Sequence, residues 1–235
     1  MRFIVGKDIF TKFPDFCVGV VVGEGIYRKE PVEKIQQFLQ TSVQETHRLL
    51  QEGSLKERPE IAVWREAFRS LDINPNKYPS SIEALLKRVS KKPEFPSINN
   101  VVDLVNALSI KHMVPMGAHD LDQLAGNIEI RFSREGDLFT AFGSDTTEEV
   151  PPGEPVYSDD LEVRTRIWIW RQGEKAKTTP DSTRIFFPLD GFQGVTRDRV
   201  ITARDELKDK LEQLLQARCR SYLVEADNPE VDLES

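Results

Sequence analysis

The run Cys17-Val18-Gly19-Val20-Val21-Val22 is apolar at every position and too short for a helix. Residues 16 to 26 therefore read as a strand, and a central one. Residues 2 to 10 are also β-rich and predict a strand before it. Helical spacing follows. From Pro31 to Gln51 it is carried by Val32, Ile35, Phe38, Leu39, Val43 and Leu49, with Pro31 placed for a first turn. Pro59 to Leu71 sets Trp64, Ala67, Phe68 and Leu71 on one side. Asn74-Pro75 and Tyr78-Pro79 mark a turn-rich linker. Ser80-Ser81-Ile82-Glu83 then has the pattern of a capping box, with Ser80 at N-cap and Glu83 at N3.

The next helix, from about Ile98 to Lys111, turns Ile98, Val101, Val102, Val105 and Leu108 to a core. Asn99, Asp103 and Asn106 share another face, and the valines flanking them predict a helix buried on most sides. Pro115, Gly117, His119, Asp120 and Asp122 follow. Strands are expected at 128–132, 138–142, 155–159, 163–171 and 184–189, the last ended by Asp190-Gly191. In the strand 163–171, Arg166, Trp168 and Trp170 lie opposite Ile167 and Ile169. A long helix should run from Thr196 to about Leu223, and residues 225–235 contain little to bury. The mixture predicts an α/β (α+β) fold in one domain over 1–235. Its parts are N-terminal strands and helix (1–55), a core (56–195), a C-terminal helix (196–224) and a flexible tail (225–235).

Thirty-two basic against thirty-nine acidic residues give a net charge of −7, which excludes unspecific adhesion to nucleic acid. An RNA partner would have to meet a local basic patch. Residues 164–204 carry nine basic and four acidic residues, and 205–235 carry four basic and nine acidic, so one end of an RNA could dock on the former. Cys17 and Cys219 make neither a disulfide framework nor a metal site, and fit small buried hydrophobes in a reducing compartment. No apolar run approaches the roughly 18 residues that span a bilayer, and the N-terminus lacks a signal-peptide layout. The expectation is a cytoplasmic protein with no membrane partner.

The order Ile98-Asn99-Asn100-Val101-Val102-Asp103-Leu104-Val105-Asn106, then Pro115-Met116-Gly117-Ala118-His119-Asp120-Leu121-Asp122, resembles the signature of the B-three/B-four domain. That domain is the tRNA-editing part of the bacterial phenylalanyl-tRNA synthetase β subunit. Trp64-Arg65-Glu66-Ala67, Tyr78-Pro79-Ser80, Glu83-Ala84-Leu85, Pro152-Gly153-Glu154 and Trp168-Ile169-Trp170-Arg171 are similar to its free-standing form. The resemblance spans roughly residues 60 to 190. It implies a three-layer fold, a central β-sandwich or sheet flanked by helices. It also implies a pocket where a positioned water hydrolyses the ester of a mischarged aminoacyl-tRNA, with no cofactor and no metal. The implied partner is the charged 3′ end of tRNA. A separate editing pocket is needed because an apolar site rejects near-isosteres poorly in one step.

The chain departs from the synthetase pattern at pocket positions. The synthetase threonine is Val105 here, while Asn106 is kept. Its histidine falls on Gly117, and His119 stands where it has an aromatic residue. Its Gly-rich strand end becomes Trp168 to Gly173, and its later glutamate aligns near Lys177, with Glu174 close by. The synthetase domain selects tyrosine, and these changes point instead to a polar or non-protein amino acid.

The catalytic candidates under this resemblance are His119, which can position or deprotonate water or else line the pocket as a structural residue, Asn106, and Asp120, which can fix the turn or bind a substrate amine. Asn100, Val105, Gly117, Ala118, Trp168, Trp170, Arg171 and Glu174 are the substrate-binding candidates. Trp168 and Trp170 could stack a terminal adenine or pack in the core, Arg171 could meet phosphate, and Glu174 could hold a cation. Asn99 fits a scaffold role. The altered pocket also fits a catalytically inactive tRNA- or protein-binding module, or a small-molecule amino-acid binder.

Overall fold

The structure is a computed structural model that describes residues 1–27, 30–175 and 177–234. In chain order its elements are β1 (Arg2–Val5), α1 (Lys7–Lys12), β2 (Phe16–Glu24), α2 (Glu33–Leu49), α3 (Pro59–Arg69), α4 (Ser81–Lys91) and α5 (Asn100–His112). They continue as β3 (His119–Asp120), β4 (Ile128–Phe132), β5 (Leu138–Thr140), β6 (Thr147–Glu149), β7 (Pro155–Ser158), β8 (Val163–Arg166) and β9 (Arg171–Gln172). The last are β10 (Arg184–Phe192), α6 (Arg197–Leu215), β11 (Arg218–Val224) and β12 (Glu230–Asp232).

The apolar run is central, as its composition demands. β2 lies between β10 and β11 in a four-stranded antiparallel sheet ordered β11-β2-β10-β3. Its residues alternate between two cores. Val18, Val20 and Val22 join Phe186 and Phe192 on one face, and Val21 joins Ile185, Phe187 and Leu189 on the other. On the first face the sheet meets a six-stranded one ordered β12-β1-β4-β7-β8-β9, with Phe3 5.0 Å from Phe186 and 6.2 Å from Tyr157, ring centre to ring centre. On the second face α5 and α6 cover it through Leu104, Leu108, Leu207 and Leu211. The result is a mixed α and β architecture of helices on a two-sheet sandwich. Glycine sits inside this strand layer where α6 comes closest. A Cβ on Gly19 would lie 2.8 Å from Val200 Cγ1, and one on Gly191 2.6 Å from Val200 Cγ2.

The helices α2 to α5 form close to the periodic segments that predict them. The Ser80 hydroxyl accepts the Glu83 N–H at 3.3 Å, while the Glu83 carboxylate turns to the buried Arg65 guanidinium at 2.7 Å instead of closing the box. Five expectations are corrected. The strand foreseen at 184–189 is not ended by Asp190-Gly191 but runs on through them to Phe192, which pairs with Phe16. The strand foreseen at 2–10 stops at Val5, because after Gly6 the six residues Lys7–Lys12 form α1 and bury Ile9 and Phe10. The strand foreseen at 163–171 breaks after Arg166 into a turn with Ile167 and Trp168 both left-handed (φ 46° and 59°). The C-terminal helix ends at Leu215, where Gln216 takes φ 57°, and residues 218–224 become the edge strand β11. The expected loose tail forms β12 against β1 and buries Val231 and Leu233; Ser235 lies outside the described residues. Short strands and one or two left-handed residues leave no periodicity to read.

Candidate functional site

The loop after α5 returns along β10. Gly117 N–H donates to Pro188 O at 2.9 Å, Asp190 N–H to Pro115 O at 3.1 Å, and His119 pairs with Phe186 as β3. Opposite, β7 presents Tyr157, and the β8–β9 hairpin brings Thr165, Trp170, Arg171 and Gln172. The first residue of α4 closes the side, with Ser81 N–H bonded to Ile169 O at 2.9 Å. Between these elements lies a cavity of about 110 Å³ bordered by Met116, Gly117, His119, Tyr157, Pro188 and Asp190 together with the hairpin.

Inside it, the Tyr157 hydroxyl donates to Asp190 Oδ1 at 2.6 Å, and both side chains are fully buried. Burial pushes the Asp190 carboxyl from 3.8 up to about 7, against the opposing pull of the tyrosine hydrogen bond. Burial, with the positive charge of Arg164 adding to it, pushes His119 down to about 4. The imidazole stacks on Tyr157 at 6.0 Å between ring centres, and its Nδ1 has no partner among the described residues. At neutral pH the cavity therefore holds a neutral imidazole beside a carboxyl balanced between its two protonation states. A group in that balance can take up a proton and give it back.

These two shifts oppose each other in stability. His119 is held neutral by folding, so its contribution is present above pH 6.5 and is lost as pH falls through about 4. Asp190 is held protonated, so its contribution is present below pH 3.8 and is lost as pH rises through about 7. Between pH 4 and 6.5 each slope is about 1.4 kcal/mol per pH unit with opposite sign, and they cancel. Urea unfolding at a series of pH values should show His119→Gln losing stability relative to wild type as pH rises across this window, and Asp190→Asn gaining it. Three parallel curves would contradict the assignment.

Of the residues singled out in the sequence, Gly117, His119, Trp170 and Arg171 meet at this cavity, and the Ala118 carbonyl accepts from Gln172 at 2.9 Å. The others are placed elsewhere. Asp120 accepts from Ser182 Oγ at 2.6 Å and from Asp122 N–H, which fixes the turn after β3. Asn99 caps α5 by accepting Val102 N–H at 2.9 Å, and Asp103 accepts Ile98 N–H at 2.7 Å. Asn100 holds Glu30 O and Val32 N–H at the start of α2. Val105 is packed in the α5–α6 layer, Asn106 is half-buried on α5, and neither borders the cavity. Glu174 accepts Gly143 N–H at 2.8 Å and pairs with Lys177.

Trp168 is fully buried among Phe13, Phe16, Trp64 and Phe192 and offers no face to a base, because the left-handed turn takes it out of strand alternation. The basic segment 164–204 is likewise no free surface. Eight of its nine cations pair with carboxylates, from Arg164 with Asp159 to Arg204 with Asp205. Arg171 is the exception among the described residues. Tyr157 and Asp190 were missed in the sequence. The one hint was an acid between apolar residues, Phe187-Pro188-Leu189-Asp190-Gly191, which reads equally as a turn.

Among the described residues no three His, Cys, Asp or Glu side chains are grouped to hold a metal ion, and no helix is long and apolar enough to cross a membrane. A family model described as B3/4 domain matches residues 63–217. The phenylalanine–tRNA ligase beta subunit of Mycoplasma genitalium is 28% identical over 117 residues, 50% of this chain and 14% of that protein. The same subunit of Fusobacterium nucleatum subsp. nucleatum is 38% identical over 63 residues, 27% of this chain and 8% of that protein. The matched stretches are thus a small part of these relatives. A crystal structure of an N-terminal fragment of the phenylalanyl-tRNA synthetase beta subunit from Pyrococcus horikoshii aligns over 93% of this chain and 50% of that one, with 11% identity and a TM-score of 0.46.

Proposed function

The chain belongs to the B3/4 domain family, and from that premise we propose that it is an aminoacyl-tRNA deacylase acting in trans on mischarged tRNA. The observation that carries this reading is the buried Tyr157–Asp190 pair beside His119 in one cavity. Water attacks the ester carbonyl carbon and its proton passes to the Asp190 carboxylate. The bond from carbonyl carbon to ribose oxygen then breaks, and the proton held on Asp190 goes to that oxygen. Tyr157 orients the carboxylate. Neutral His119, on the same wall, orients the attacking water or the substrate amine. Asp120 positions His119 through the turn, and Asn106 takes no part in the chemistry.

A volume of about 110 Å³ is well below the roughly 300 Å³ at which ordinary ligand pockets begin. With Thr165, Gln172 and Asp190 on its walls, the cavity suits a small polar or non-protein amino acid better than tyrosine. A second reading, a binding module without turnover, draws support from His119, since an imidazole held near 4 is a weak base at neutral pH. A panel of mischarged tRNAs separates the two. Ester loss above the spontaneous rate from at least one is the expected result. Tight binding of charged tRNA with no ester loss from any would leave the binding module.

A further inference from the structure

Four of the six residues from Lys87 to Lys92 are basic and none is acidic. Lys87, Arg88, Lys91 and Lys92 are exposed, and no carboxylate lies within ion-pair distance of them among the described residues. That sets them apart from the neutralised cations of residues 164–204. Arg88, Lys91 and Lys92 border an open groove of about 510 Å³ over Phe95 and Pro96, with Glu94 at its rim. The Arg88 guanidinium lies 4.7 Å from the Phe95 ring centre. Across Pro93 and Glu94 a second groove, of about 430 Å³, carries the exposed Arg48.

The helix that ends in this cluster begins at the cavity. Ser81 lines the cavity, and at 100° per residue Ser81, Ala84, Arg88 and Lys91 fall within an arc of about 80° on α4. Ala84 is exposed and leaves the stripe between the two ends uncluttered. Ten residue steps from Ser81 to Lys91 rise about 15 Å, the length of about four stacked nucleotides at ~3.4 Å each. At the cavity end Trp170 is half-buried, with Tyr78 edge-on at 4.8 Å and the unpaired Arg171 beside it.

We propose that this stripe of α4 holds the single-stranded 3′ segment of an RNA. Its terminal nucleotide lies at Trp170 and Arg171, and its upstream phosphates at Arg88, Lys91 and Lys92. The placement rests on reading the cavity as the site of ester hydrolysis. Phosphate is favoured over an acidic protein because the one aromatic ring of the groove, Phe95, is 7% exposed and already covered by Arg88, and protein partners draw most of their affinity from buried aromatic or aliphatic anchors. Unpaired Arg and Lys on a rigid helix match a polyanion of regular spacing. The net charge of −7 repels RNA from the remaining surface, so the stripe also sets its direction of approach.

Fluorescence anisotropy with an uncharged tRNA, over a salt series, tests the track. The triple variant R88Q/K91Q/K92Q is compared with wild type and with K7Q/K12Q/K34Q, which removes equal charge from exposed lysines of α1 and α2. Thermal melts verify that both are folded. The α4 triple should weaken binding on the order of 100-fold at 0.1 M salt and lower the salt slope by about two, as expected for three lost phosphate contacts on a single strand. The α1/α2 triple should change affinity less than about threefold, since non-contacting charges act only through the screened field. Equal losses from both triples, or none from the α4 triple, overturn the proposal. Tighter binding of a polyglutamate peptide than of RNA, abolished by the α4 triple, overturns it in favour of an acidic protein partner. Because the probe carries no ester, α4-dependent binding in a protein that hydrolyses nothing removes the deacylase reading and leaves the track standing.

Discussion

Asp190→Asn is expected to lower deacylation by roughly 10²- to 10⁴-fold, the usual contribution of a positioned acid–base group. Asparagine keeps the shape and can still accept from the Tyr157 hydroxyl, now 2.6 Å from the carboxylate, but it cannot carry a proton between water and the ribose oxygen. The same change should raise stability at pH 7 and above. The buried carboxyl titrates at about 7 instead of 3.8, so folding opposes its ionisation there. Lost turnover with a higher melting temperature is a signature that a collapsed site would not give. Tyr157→Phe provides the companion result. It removes the hydrogen bond that holds the Asp190 pKa down, so the inflection in kcat/KM near pH 7 should move upward. If Asp190→Asn keeps more than about a third of wild-type activity, the proton-transfer role is excluded, because such a loss is under 1 kcal/mol.

Trp168→Ala should cost about 3–5 kcal/mol, measured as a drop in the urea midpoint. The indole is fully buried, 4.8 Å from the Phe16 ring centre and perpendicular to Trp64 at 5.3 Å, and it joins the core between the sheets to α3. Truncation leaves a cavity at a point where several aromatic rings converge. Trp170→Ala, half-buried at the cavity edge, should cost less than about half as much and act instead on the affinity for the RNA end. Equal stability losses for the two would mean that Trp170 is also a core residue and that the cavity lacks an aromatic edge.

Side-chain periodicity made α2 to α5 legible, and an unbroken apolar run made β2 legible as a central strand. It fails where geometry is set by a few residues. The alternation of Trp168 and Trp170 placed both on one strand face, yet consecutive left-handed residues at 167 and 168 send one into the core and leave the other at the cavity. The short strands β9 and β12 exist because neighbours supply their partners, and no local pattern encodes that. The site divides along the same line. Gly117 and His119 were visible because they sit in a contiguous signature. Tyr157 and Asp190 come from strands 33 residues apart and become a pair only through the packing of two sheets. The signature residues Asn99, Asn100 and Asp103 hold the ends of helices, a role expected for Asn99 and revealed for Asn100 and Asp103 only by their hydrogen bonds.

The pairing of β1 with β12 has a consequence for how such a unit can be carried. Arg2 stands opposite Asp232, and the amine of Met1 reaches the Glu234 carboxylate at 2.6 Å, so the first and last described residues lie side by side at one edge of the six-stranded sheet. A host protein would need to open one of its loops by only about 5 Å, a single strand spacing, to take the whole fold in as an insert. The adjacency of β1 and β12 is the geometry by which such a fold can sit within a longer polypeptide.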